Sequence, residues 1–92
     1  VIYKYLKSLY QFFNLKKIFY IINPVYNDLI IKSKNQEYSS FKYELYDLNS
    51  KFVSKGSSII NQSIFISHLI NGIYILNIST NEKSEAHRII KR

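Results

Sequence analysis

The chain of 92 residues has no cysteine, which removes a disulfide framework and any thiolate metal site but does not assign a compartment. Nowhere does it hold the roughly 18 uninterrupted apolar residues that a bilayer-spanning helix needs. Acids are scarce, six against thirteen lysines and arginines. Asp28, Glu37, Glu44 and Asp47 stand at strand-length intervals rather than in the clustered alternation of a calcium loop, so they read as turn caps and charge balance. His68 and His87 fall in different expected elements, and Ser39, Ser40, Ser57 and Ser58 lie in turn-like clusters where they satisfy local backbone groups. A hydrolytic triad needs a base within hydrogen-bond reach of its nucleophile. No such constellation is legible, so neither catalysis, nor a cofactor, nor a metal is expected. No motif recurs at a fixed longer period, which argues against a solenoid.

What is present is β-forming. Aromatic residues make up 16% of the chain, with abundant Ile, Val and Tyr, and branched and ring-bearing side chains pack well on a pleated surface. The length allows one domain of modest stability. A formal net charge of +7 suits an anionic partner. From Lys32 to Lys55 the lysines are interspersed with acids, however, and the charge reads first as a solvated strand face. The heavy use of Ile, Lys, Asn, Tyr and Phe matches an AT-rich coding bias.

Residues 1–17 form a basic and aromatic segment. Within it, 2–13 read as a helix, with Ile2, Leu6, Leu9, Tyr10 and Phe13 at spacings of three and four. It reads first as a degenerate linker or the tail of a lost upstream domain; the alternative is weak contact of its stripe with a membrane surface. Ser8, Gln11, Asn14, Lys16 and Lys17 interrupt the apolar run, and no small-residue cleavage site follows, so no signal peptide is recognised.

From Ile18 the pattern becomes short apolar runs between polar clusters. Strands are expected over approximately 18–22, 28–33, 41–47, 51–55, 63–67, 72–79 and 86–91. Asn23-Pro24 should end the first and turn the chain. Leu29 and Ile31 should face one way, as should Phe41, Tyr43 and Leu45, with Lys42 and Glu44 outward. Asp47-Leu48-Asn49-Ser50 reads as a hairpin turn, and Ser54 to Ser58 as the next polar break. Gly72 followed by Tyr74 resembles the corner of an immunoglobulin-like sandwich. The expected fold is all-β, an immunoglobulin-like antiparallel sandwich of about seven short strands over 18–92, preceded by a helical or irregular segment.

Three blocks, in order, resemble the type A C-terminal sorting domain of the bacterial type IX secretion system. They are Asn23-Pro24-Val25 with Leu29 and Ile31; Leu45-Tyr46-Asp47-Leu48 with Lys51 and Val53; and Ile64-x-Ile66-Ser67-x-Leu69-x-x-Gly72-Ile73-Tyr74, followed by Ile78 and the final Arg88-Ile89-Ile90-Lys91. Ile22 stands where the family usually has proline, Ser50 where it has glycine, and Phe65 where an acid is frequent. A serine at 50 fits most type I turn positions but is strained in a left-handed one.

The resemblance implies a noncatalytic export label carried by a cargo, gripped by the outer-membrane translocon and removed by a sortase-like peptidase. It places a monomeric domain in the periplasm, in transit to the cell surface or the extracellular space. With no cargo or signal peptide recognised, the chain reads as a fragment or orphan of a larger secreted protein. The sorting-motif candidates are Asn23, Pro24, Tyr46, Asp47, Gly72, Tyr74, Lys91 and Arg92. The two terminal cations are expected to stand free of the core. The alternative function is a small basic adhesion or binding module for anionic surfaces or nucleic acid. Lys and Tyr do interleave at Tyr3-Lys4-Tyr5, Lys16-Lys17-Ile18-Phe19-Tyr20 and Lys42-Tyr43, but the inward rings and outward lysine of the third strand are a core arrangement, so nucleic acid is not favoured.

Overall fold

Alternation decides the centre of the molecule: Tyr74, Leu76 and Ile78 are buried while Ile73, Ile75, Asn77 and Ser79 between them are not. In the computed structural model, residues 17–34 and 39–92 are described, and they contain eight strands and no helix. These are β1 (Phe19–Tyr20), β2 (Asp28–Ile30), β3 (Lys32–Ser33), β4 (Ser40–Asp47), β5 (Phe52–Ile59), β6 (Ser63–Phe65), β7 (Gly72–Ser79) and β8 (Ser84–Lys91). The helix expected over 2–13 lies outside the described residues.

Four long strands form an antiparallel sheet in the order β5-β4-β7-β8, and two short antiparallel ribbons, β1–β3 and β2–β6, complete the fold. The sheet contributes Phe41, Leu45, Tyr74, Leu76, Ile78 and Ile89 to the core, and the ribbons and their connections answer with Phe19, Val25, Leu29, Ile31 and Ile66. Phe19 meets Phe41 edge to face at 5.7 Å between ring centres, the geometry that the ring quadrupole favours. The protein is all-β and antiparallel.

The expected strand 28–33 is two. Leu29 pairs with Ile64 of β6, whereas Lys32 pairs with Tyr20 of β1. Between them the Ile31 carbonyl accepts a bond from the Asn61 amide. One segment thereby serves both ribbons and still buries Leu29 and Ile31 completely. The first expected strand shortens to Phe19–Tyr20, and the last begins at Ser84.

The polar run Ser54 to Ser58 is a strand, not a break. In the register, Ser54, Gly56 and Ser58 lie opposite Leu45, Tyr43 and Phe41, so small residues face large ones across the pair. A Cβ on Gly56 would stand 2.8 Å from the Tyr43 hydroxyl oxygen. Polarity signalled a loop, but small side chains at alternate positions make room for the rings of β4. We expect Gly56→Val to lower stability by about 1–3 kcal/mol through overpacking, read as a lower urea midpoint; the cost should shrink when Tyr43→Ala is also present.

The turn after β4 forms as expected. The Ser50 amide donates to the Asp47 carbonyl at 3.0 Å, and Asp47 Oδ1 accepts from the Asn49 and Lys51 amides, each at 2.9 Å. Ser50 has φ 64°, the left-handed conformation in which its Cβ crowds the backbone. Gly relieves that crowding at some cost in chain entropy. Ser50→Gly should therefore raise stability by about 0.5–1 kcal/mol, measured as a higher unfolding midpoint with an unchanged denaturant slope.

Candidate recognition site at the terminal strand

A sheet with β8 at its margin leaves one row of β8 backbone groups unpaired, and the chain between Lys17 and Val25 supplies partners for them. The Lys17 ammonium donates to the Ala86 carbonyl at 2.7 Å. Asn23 then acts as a side-chain substitute for a strand: its Nδ2 donates to the Arg88 carbonyl at 3.1 Å, and its Oδ1 accepts from the Ile90 amide at 2.9 Å. Val25 continues with main chain, donating to the Ile90 carbonyl and accepting from the Arg92 amide, both at 2.8 Å, in an isolated parallel bridge. The Asn23-Pro24 bond is cis. As expected, the Asn23-Pro24 bend follows the first strand.

At the other end of this seam sits a buried carboxylate. Glu85 is 6% exposed; it accepts from the Ile18 amide at 2.8 Å and the Phe19 amide at 3.2 Å, and it pairs with Lys83 at 3.1 Å and with His87 at 2.8 Å. Burial opposes its ionisation, yet the Ile18 amide, the His87 and Lys83 hydrogen bonds and the Phe19 amide outweigh burial and hold the carboxyl below its ordinary value. Burial pushes His87 below its ordinary value, with Glu85 pulling the other way and the charges of Lys17 and Lys34 adding to the depression. A neutral His87 that donates from Nε2 satisfies both groups.

The sequence candidates gather toward one pole of the sheet. Asp47 lies opposite Tyr74 in the β4–β7 register, and Gly72 lies opposite Lys91 in the β7–β8 register. Tyr74 is buried, and its hydroxyl donates to the Ile70 carbonyl at 2.6 Å, four residues upstream, as a corner tyrosine does. Gly72 has φ 158° and open space around its missing Cβ, so conformation rather than crowding bears on that position. Tyr46 faces outward, bonded to Glu44 at 3.2 Å and edge-on to Phe52. Arg92 is exposed, as expected. Lys91 is not: it is 4% exposed, alternating inward with Ile89, and its ammonium reaches Asn71 Oδ1 at 3.3 Å and the Arg92 carbonyl at 3.4 Å. Its long apolar stem is what makes burial tolerable.

Residue patterning alone passed over Glu85, and it singled out Lys17 only as part of a basic and aromatic stretch. The readable signal was Lys83, Glu85 and His87 at alternate positions leading into and along the last strand, with a carboxylate between two basic groups. Among the described residues no cluster of His, Asp and Glu could hold a metal ion, and no helix is long and apolar enough to cross a membrane.

Residues 23–92 match the secretion system C-terminal sorting domain family. The chain belongs to that family. Its match begins at Asn23, the residue bonded to β8, and runs through Arg92, so both sides of most of the seam lie inside the sorting domain. No curated protein is found to match the chain. As a type IX sorting domain, the protein carries a signal for export through that secretion system.

Because both Glu85 and His87 are shifted downward, the unfolded state binds more protons than the folded state as pH falls. Stability should therefore be full above about pH 6.5, the ordinary value for His87. It should decline below that as the unfolded histidine protonates, and decline further below about pH 4.5, the ordinary value for Glu85. Urea midpoints measured from pH 8 to pH 3 should show this fall, and His87→Gln should flatten its upper part while leaving the lower part.

Proposed function

We propose that the domain acts as a noncatalytic label read by the type IX outer-membrane translocon and then released by a sortase-like peptidase. It would act in the periplasm, on the way to the cell surface or extracellular space, and as a monomer. The observation that carries this reading is the seam. The Asn23-Pro24-Val25 motif is bonded to the last strand, and this brings the opening motif, the corner of Gly72 and Tyr74 and the terminal Lys91-Arg92 toward one pole. A label of this kind needs a rigid surface and no reactive group, and every buried side-chain polar atom among the described residues has a hydrogen-bond partner.

Within the candidate set, roles divide by whether the side chain is bonded to the rest of the fold. Asn23, Tyr74 and Lys91 hold the pole in shape, whereas Arg92 projects from it and is the residue that an acidic groove of the translocon would read. Fused behind a periplasm-directed reporter in a type IX-competent cell, the chain should carry the reporter outside. Arg92→Glu should reduce export several-fold without lowering the unfolding midpoint. Retention of the stably folded, unmutated fusion in the periplasm would refute the reading.

A further inference from the structure

Two turns at the same end of the β4–β7 pair carry aliphatic side chains where polar residues are usual. Leu48, inside the Asp47–Ser50 turn, is 62% exposed, and Ile70, in the loop before β7, is 83% exposed. Their turns are neighbours: Asp47 lies opposite Tyr74, and the Tyr74 hydroxyl holds the Ile70 carbonyl. At this end the exposed cations outnumber the one half-buried acid, Asp47. Lys51 and Arg92 are exposed at this end, while Asp47 turns its Oδ1 back onto the Asn49 and Lys51 amides. Over the whole chain the formal charge is +7.

We propose that this pole docks on an anionic lipid surface, Leu48 and Ile70 entering the interface while Lys51 and Arg92 meet the headgroups. Side chains this exposed have no neighbouring wall with which to form a pocket for a protein partner, but a fluid interface accepts protruding aliphatics without shape matching. A second copy of the chain is disfavoured as occupant because it would bring two strongly cationic surfaces together. Lysines and arginines near an anionic bilayer add attraction that salt weakens. The sorting reading is not required for this docking, and neither depends on residues 2–13.

The chain has no tryptophan, so a single Trp at either position is a clean reporter. Leu48→Trp and Ile70→Trp should each shift emission to the blue with phosphatidylglycerol-containing vesicles, not with pure phosphatidylcholine vesicles, and added salt should weaken the response. The double variant Leu48→Asp/Ile70→Asp, with an unfolding midpoint close to that of the parent, should lose at least about tenfold in vesicle affinity, or 1.4 kcal/mol. Absence of binding to the anionic vesicles would overturn the proposal. So would binding that leaves both Trp reporters unshifted, or that the double Asp variant retains, since either result places the contact elsewhere on the chain.

Discussion

The margin of a β-sheet is a row of backbone donors and acceptors that must find partners or remain open to other chains, and at β8 this requirement organises the molecule. The answer is not another strand but a composite of a lysine ammonium, an asparagine amide and one short stretch of main chain, with the buried Glu85 carboxylate of β8 itself receiving two amides of the early segment in return. Asn23 suits its place because a primary amide offers both a donor and an acceptor, as a peptide group does. Glu85 suits its place because two amides, a histidine and a lysine offset the cost of burying its charge.

The opposite margin is handled differently. Among the described residues β5 has no further strand beside it; it carries Lys55 at an exposed position and a register irregularity opposite Leu45 and Tyr46. Charges and bulges of this kind discourage unwanted pairing. The two edges thus differ in kind, one bonded to the chain's own early segment and the other left open but roughened.

Much of this was readable from residue type where alternation was strong. β7 spans Gly72–Ser79 as expected, the inward Phe41 and Leu45 are buried, and the Asp47 turn closes as its residues indicate. Legibility failed where the determining partner was distant. Ser54 to Ser58 looks like a loop until Tyr43 is known to lie across Gly56, and 28–33 looks like one strand until two different ribbons claim its halves. Lys91 looks free because nothing local announces Asn71, twenty residues away, as the group that receives its ammonium. Likewise, no local pattern links Glu85 to amides 66 and 67 residues earlier. Family resemblance supplied the candidate positions, but only the register shows how they share one pole.

The seam also constrains the order of events in folding. Its bonds join residues separated by 65 to 69 positions, and contacts of such long range are slow to form because so much chain must first be brought into place. A polypeptide emerging from its N-terminal side holds Asn23 and Val25 early, but they have nothing to bind until Arg88 to Arg92 have followed. The finished shape is therefore a built-in check of completeness: a chain interrupted before those final residues would display an unzipped flank in place of the assembled pole.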